Sequence, residues 1–313
     1  METKLTRLLN IKYPIIQGAM AWVSDAKLAA AVSEAGGAGT IATGGRESSW
    51  VEEQIRLAKT LTDKPFGVNI MLMAENKDEI VDIICNEKVS YVTLGAGNPV
   101  PYFERLHNEG IKVVPVVPNV KLAKRVADKG ADAIVIEGSE AGGHIGSISS
   151  LSLMTQVIPE VDIPVIAAGG FADGRGLAAA LVMGASGVQM GTRFYASQEC
   201  TAHLDAKVKI VNAKDTDTVV TGALHGHSVR GIRNAMTDKY LDMEKAGAKE
   251  DELLKLVVGT SRTAPQEGDI EWGMVQAGQS LTAIKNIKPC SEIVDDIITE
   301  ARKAITNAQI YLR

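Results

Sequence analysis

The stretch EGSEAGGHIG, Glu137 to Gly146, puts two glycines immediately before His144 and another two places after it. Histidine is the side chain that most readily exchanges protons near neutral pH. Glycine lets a backbone bend tightly and come close to a ligand. Together they suit an acid held against a flat bound group; the plain alternative is a loop that happens to contain a histidine. Further segments carry compatible chemistry. QGAM (Gln17 to Met20) offers a tight turn where ring edges can meet backbone amides and the Met20 side chain. Asn69 in GVNIM and Gln189 in QMGTRF supply amide hydrogen bonds. In AAGGFADG, Gly169 and Gly170 expose N–H groups just before an expected helix, whose positive end favours anions. Gly191 and Thr192 add donors from a neighbouring segment.

Something must bring these segments to one place. Short branched apolar runs alternate with helical patterns, and strands are predicted near Pro14–Ile16, Thr40–Ala42, Gly67–Met71, Tyr91–Leu94, Lys112–Val117, Ala133–Ile136, Pro164–Ala168 and Gly187–Met190. Runs such as VVPVV and AIVI are apolar on both faces, as parallel strands covered by helices require. Between them, DAKLAAAVSEAGG, SSWVEEQIRLAKTL and NVKLAKRVADKGA have helical spacing. The second has Ser49 and Glu52 in a capping-box pattern, and Gly36 and Gly130 are expected to stop the other two. Eight alternations predict a (β/α)8 TIM barrel, with a doubly wound sheet as the alternative. Barrels bind ligands at the C-terminal ends of their strands and often hold phosphate between the loops after strands seven and eight. The candidate segments follow expected strands one, three, four, six, seven and eight. A phosphate grip at one side and an amide-lined slot at the other suit flavin mononucleotide (FMN).

After strand eight the rhythm changes. Residues 197–273 are charged and mostly helical in pattern, an expected subdomain near the substrate entrance, inserted into a barrel made of 1–196 plus 274–313. A last helix near Ile293–Gln309 is expected to pack back on that barrel.

Bulk properties narrow the partners. With 313 residues, 45% apolar, and a net charge of −5, the chain can bury a real core but lacks the basic field of a nucleic-acid binder. Cys85, Cys200 and Cys290 are sparse and form no CxxC, which fits reduced intracellular thiols and no disulfide frame or zinc site. The N-terminus has no signal-peptide pattern and no apolar run reaches membrane-spanning length, so a cytoplasmic protein is expected. GRGLAA, from Gly174, does not directly follow a strand and makes a poor dinucleotide fingerprint. His225 and His227 lack a third neighbouring ligand, so a polar loop is expected there and no metal.

The segments YPIIQGAMAWV, TDKPFGVNIMLM, GAGNP, VVPVVP, EGSEAGGHIG, IPVIAAGGFADG, GASGVQMGTRF and GHSVRGIRN resemble those of the FMN-dependent enoyl-acyl-carrier-protein reductases of the FabK type, within the wider nitronate monooxygenase (2-nitropropane dioxygenase) family. The likeness runs from about Leu5 to Arg233 and returns near AGQS, Ala277 to Ser280. It implies a TIM-barrel flavoprotein of fatty acid synthesis that reduces the trans-2 double bond of an enoyl thioester in a ping-pong cycle, with NADH or NADPH reducing FMN first. Carried over by position, the FMN contacts are Gly18, Ala19, Met20, Asn69, Glu137, Gly143, Gly169, Gly170, Gln189, Gly191 and Thr192; His144 is the catalytic histidine. His227, in GHSVR, is expected near the substrate entrance. Three features depart from the reductases: Ala19 replaces a glycine, Gln276 replaces a common methionine, and the loop TGGRESSW differs. The resemblance also implies a homodimer and an acidic acyl-carrier protein as partner, for which Lys207, Lys209, Lys214, Arg230, Arg233 and Lys239 are the candidates for a basic docking patch; the plain alternative is a solvated helical face. The rival readings are a nitronate monooxygenase using FMN and O2, and a noncatalytic flavin- or phosphate-binding protein.

Overall fold

The computed structural model describes residues 1–312. Eight parallel strands form the barrel wall: β1 (Ile15–Gln17), β2 (Gly39–Ala42), β3 (Phe66–Met71), β4 (Tyr91–Gly95), β5 (Lys112–Val117), β6 (Ile134–Glu137), β8 (Val165–Ala168) and β9 (Gly187–Met190). Their order is β1-β9-β8-β6-β5-β4-β3-β2, and an Ile16–Ala38 bridge joins the two ends. The fold is a TIM barrel, and each expected strand lies within one residue of its observed bounds.

Local chemistry explains most element ends. Asp25 and Asn119 accept from Leu28 N and Leu122 N and so cap the helices Ala26–Glu34 and Val120–Asp128. Gly36 and Gly130 stop them at φ +94° and +100°. The expected capping box at Ser49 does not form. That helix starts at Ser48, its N-cap is Glu47 with no side-chain cap, and Glu52 pairs with Arg56 instead. Ser48 Oγ is drawn away, donating to Glu79 at 2.7 Å.

One end of the barrel is plugged. Leu5 and Leu9 of the N-terminal helix Lys4–Leu9 pack against the inward-facing Ile16, Tyr91, Val114, Val135 and Ile166. Gly67 leaves room for the Tyr91 ring, which would lie 2.5 Å from a Cβ at that position. The Tyr91 hydroxyl is satisfied by Thr40 and the Gly39 carbonyl. The opposite end, where the strands terminate, stays open.

Residues 197–273 carry the helices Leu204–Asn212, Ala235–Lys245, Glu250–Val257 and Thr260–Glu267. They also form an antiparallel hairpin of β10 (Thr218–Thr221) and β11 (Val229–Ile232). β11 pairs in turn with a two-residue strand, β7 (Gly143–His144), so this hairpin is hydrogen-bonded directly to the loop that bears His144. The last helix, Cys290–Ala308, packs against Gly174–Val182. Its O and N atoms at Ile297 and Ala301 come so near that a Cβ on Gly174 would lie within 2.5 Å of both.

Candidate active site

The strand ends open into a cavity of about 500 Å³, within the usual range for cofactor sites. Gly18, Ala19, Met20, Asn69, Glu137, Gly143, His144, Gly169, Gly170, Gln189, Gly191 and Thr192 all line it. The structure therefore gathers every residue expected at the flavin, together with the histidine.

Gln17 explains the shape of the turn after β1. Its buried side chain donates to Gly18 O and Ser24 Oγ and accepts from Thr40 N. Ser24 Oγ also accepts from Met20 N. The turn is thus fixed before any ligand arrives. A Cβ on Gly18 would press to 3.0 Å from Gln189 Cγ, so the glycine keeps this edge clear. Asn69 Nδ2 donates to the Thr93 carbonyl and hydroxyl, which leaves its carbonyl oxygen as the free polar end.

The loop from Glu137 to Ser150 is tied down on three sides. Gly138 N donates to Ala168 O, and Ser139 N to Ile148 O. The Glu140 carboxylate accepts from Ser150 N and Oγ at the start of the helix Ser150–Val157. Gly142 lies so near the Ala277 backbone that a Cβ would fall 2.7 Å from its carbonyl carbon. Gly143 takes φ +78°, a left-handed conformation that side chains disfavour, and turns the chain into β7. His144 then stands at the cavity mouth, its ring partly exposed and partly desolvated. Burial of its ring and the nearby His227 imidazole hold its pKa below the ordinary 6.5.

The anion grip differs from the expected one. The helix Gly174–Val182 is already capped: Asp173 accepts from Gly176 N and Glu300 from Gly174 N. Two carboxylates thus occupy the helix end that was expected to attract phosphate. What remains toward the cavity is the Gly169–Gly170 backbone, with both φ values positive, and the side-chain-uncapped start of Thr192–Tyr195. Thr192 Oγ1 accepts from Gly278 N and keeps its own proton to donate.

These residues fit FMN. Tyr195 lines the same cavity, and its hydroxyl is buried without a hydrogen-bond partner among the described residues, so it keeps a proton to donate. Glu137 also faces the cavity, and desolvation raises its pKa to about 7. Because the folded value lies above the unfolded one near 4.5, the native state holds the extra proton between those values. Flavin-free protein is therefore expected to lose stability as pH rises from about 4.5 to about 7. Thermal melts across that range should show a flatter profile for Glu137→Gln.

The family model for nitronate monooxygenase matches residues 2–83 and 72–300. The chain belongs to that family. Among solved structures it is similar to FabK from Thermotoga maritima, at 46% identity and TM-score 0.97, with 99% of each chain covered. Among curated relatives it is 33% identical to a (3aS,4S,5R,7aS)-5-hydroxy-7a-methyl-1-oxo-octahydro-1H-indene-4-carboxyl-CoA dehydrogenase of Rhodococcus jostii, covering 97% of both chains. It is 34% identical to a probable nitronate monooxygenase of Staphylococcus aureus, covering 96% of this chain and 97% of that one.

For this family member, two of the six residues of the expected basic patch, Lys207 and Arg230, are turned inward. Lys207 is buried and donates to Ser197 O and Cys200 O. Arg230, only 9% exposed, reaches from β11 to donate to Ser139 O and Thr218 Oγ1. Sequence shows the charge but not its direction. Arg233 is exposed and paired with Asp238, Lys209 lies 3.7 Å from Glu271, and Lys239 sits over the Trp272 ring. His227 is exposed beside Glu250. Arg230 thus clamps the His144 loop from β11. Arg230→Met is expected to cost about 1.5–3 kcal/mol of stability, the worth of hydrogen bonds to a charged group. It should also lower kcat while leaving flavin affinity nearly unchanged, as melting curves, turnover and FMN titration would reveal.

Several lining residues gave no sequence signal. Ser261 and Pro265, within residues 197–273, are two of them. Gln276, Gly278 and Ser280 also line the cavity and were visible, Gln276 as a departure from the reductase pattern and the other two within the AGQS likeness. Cys85, Cys200 and Cys290 are all buried free thiols, and burial pushes Cys200 up to about 11. No helix among the described residues is long and apolar enough to cross a membrane.

Proposed function

We propose that this member of the nitronate monooxygenase family is an FMN-dependent enoyl-acyl-carrier-protein reductase that saturates the trans-2 double bond of an enoyl thioester, with NADH or NADPH as electron source. It works in the cytoplasm, as a homodimer, with the acyl-carrier protein as partner. The observation that carries this reading is His144, held by β7 over a cavity lined by all the residues expected at the flavin. The 46% identity to a FabK over 99% of both chains favours the reductase over the nitronate monooxygenases, for which the S. aureus relative reaches 34%. Similarity to a carboxyl-CoA dehydrogenase is consistent with a thioester substrate.

When bound, FMN supplies hydride exchange, first from the nicotinamide and then to the β-carbon of the enoyl thioester. Gly18 to Met20, Asn69 and Gln189 would hold its ring, and Gly169, Gly170, Gly191, Thr192 and Tyr195 its phosphate end. Glu137 and Gly143 would complete the contacts. His144 gives the proton that the α-carbon needs. Negative charge gathers on the thioester oxygen as the β-carbon is reduced, and an imidazolium with a lowered pKa releases its proton readily toward that charge. Hydride at the β-carbon and proton at the α-carbon together make one saturated bond.

Purified yellow protein mixed with NADH or NADPH tests the reading. Reoxidation by crotonyl thioester supports it. Consumption of an alkyl nitronate with oxygen would instead identify a nitronate monooxygenase, and neither reaction would leave a binding protein.

A further inference from the structure

The loop after β2, TGGRESSW, departs from the reductase pattern and plays no part in the cavity chemistry above. It builds an unusual cluster. The Arg46 guanidinium lies over two indoles, 4.5 Å from the Trp22 ring centre and 4.2 Å from that of Trp50. Arg262, from the inserted helix Thr260–Glu267, approaches Trp22 from 5.8 Å. Two arginines thus share one indole. Like charges brought this close repel unless an anion joins them.

The cluster is built in advance of any ligand. Gly45 takes φ +75°, and a Cβ there would lie 2.5 Å from the Trp22 ring. Trp22 itself is held at φ +66°, rare for a bulky residue, and its carbonyl accepts from Gln266 Nε2 at 2.7 Å. Asn76 Nδ2 pins the Arg46 carbonyl. Yet the polar ends are unanswered. Four buried side-chain polar atoms lack a partner among the described residues, and two of them, Thr43 Oγ1 and Arg46 Nε, lie in this loop. Such atoms normally find partners, and an unmet one calls for an explanation.

Nearby acids do not supply it. Asp25 attracts Arg46 electrostatically, but its carboxylate already accepts from Leu28 N and Thr201 Oγ1. Glu267 lies 3.7 Å from Arg262, with both side chains more than half exposed, where pairing contributes little. Burial and the Arg262 charge both press on the Arg46 cation. The cluster also adjoins the site: Ala21, Gly44 and Ser261, immediate or near neighbours of Trp22, Arg46 and Arg262, line the cavity.

We infer that Arg46 and Arg262, braced by Trp22 and Trp50, form a second anion site at the cavity mouth that takes a phosphate group of a diffusible substrate. Guanidinium groups recognise phosphate oxygens by forked, charge-assisted hydrogen bonds. The phosphate belongs either to the nicotinamide dinucleotide or to the carrier of the thioester; naming these carriers rests on the reductase reading, whereas the anion site does not.

The test uses the FMN-loaded full chain. Trp22 and Trp50 are two of three tryptophans, so a Trp272→Phe background reports emission from the cluster alone. Inorganic pyrophosphate is expected to change that emission saturably, and Arg46→Gln or Arg262→Gln to weaken its binding by about tenfold or more. Arg262 is exposed, so its variant tests the site even if Arg46→Gln does not fold. Unchanged emission, or equal affinity in both variants, overturns the site. Steady-state kinetics then separate the sources. A raised KM for NADH or NADPH assigns the dinucleotide phosphate. A raised KM for crotonyl-CoA, but not for the phosphate-free N-acetylcysteamine thioester, assigns the carrier. If every KM is unchanged, the assignment to a substrate falls. Pyrophosphate binding in a protein that reduces no enoyl thioester would leave the site standing and remove the reductase reading.

Discussion

Replacing His144 by glutamine is expected to lower kcat for enoyl thioester reduction by about 10²–10⁴-fold, the usual worth of a positioned proton donor. The protein should stay yellow. β7 is held by backbone pairing of Gly143 and His144 with Arg230 and Val229, which does not depend on the imidazole. The cavity floor and glycine loops are likewise independent of that ring. Reduction by NADH or NADPH needs no proton at the α-carbon, so that half-reaction should remain fast in stopped-flow absorbance while reoxidation by crotonyl thioester slows. Equal slowing of both halves would place the defect elsewhere. The pH profile gives a second readout. His144 has its pKa lowered, by burial and then by His227. The protonated fraction therefore falls with rising pH before the ordinary 6.5 is reached, and kcat/KM for the enoyl thioester should decline along a limb lying below that value. Removing His227 takes away one of the two causes, so His227→Ala should move the limb upward. A glutamine at 144 should abolish it.

The eight wall strands were legible because parallel strands buried on both faces leave unbroken apolar runs, and VVPVV or AIVI can scarcely be anything else. Glycine stops at Gly36 and Gly130 were equally local. What sequence could not convey was direction and long-range pairing. β7 is only Gly143 and His144, too short for any alternation, and it exists because β11 lies alongside it from more than 80 residues away. Arg230 and Lys207 read as surface charge but point into the fold, where backbone carbonyls receive them. The helix after Gly170 read as a free anion site, yet Glu300, from the far end of the chain, occupies it. For β7, Arg230 and the Gly174 helix end a distant partner overrode a correct local rule; for Lys207 the carbonyls of Ser197 and Cys200, close in sequence, did so. The cavity residues escaped this because the barrel fixes where strand ends must go. Knowing the eight strands was nearly sufficient to bring Asn69, Glu137 and Gln189 to one mouth.

The largest effect on cofactor binding is expected from one methyl group, in Gly169→Ala. Gly169 takes φ +89°, where an L-residue pays roughly 1–2 kcal/mol for its Cβ. The space is also missing: the Cβ would fall 2.8 Å from Gly138 O and 3.0 Å from Ser150 Oγ. These are not flexible ends. Ser150 is the residue on which Glu140 anchors the His144 loop, and its hydroxyl also reaches the Gly169 carbonyl at 2.8 Å. To make room, the β8 loop must move away from the loop after β6, and the Gly169 and Gly170 N–H groups move with it. A penalty of 1–2 kcal/mol alone is about a 5–30-fold loss, so FMN affinity should fall by at least about tenfold, and the variant should purify pale. Gly110→Ala is the control. It has a comparable φ of +74° but nothing within 4 Å of the added carbon, and it does not line the cavity. It should cost a similar strain in thermal melts with FMN affinity unchanged. If Gly169→Ala binds flavin as tightly as Gly110→Ala, the loop after β8 does not grip the phosphate, and the placement of FMN proposed for this cavity is wrong.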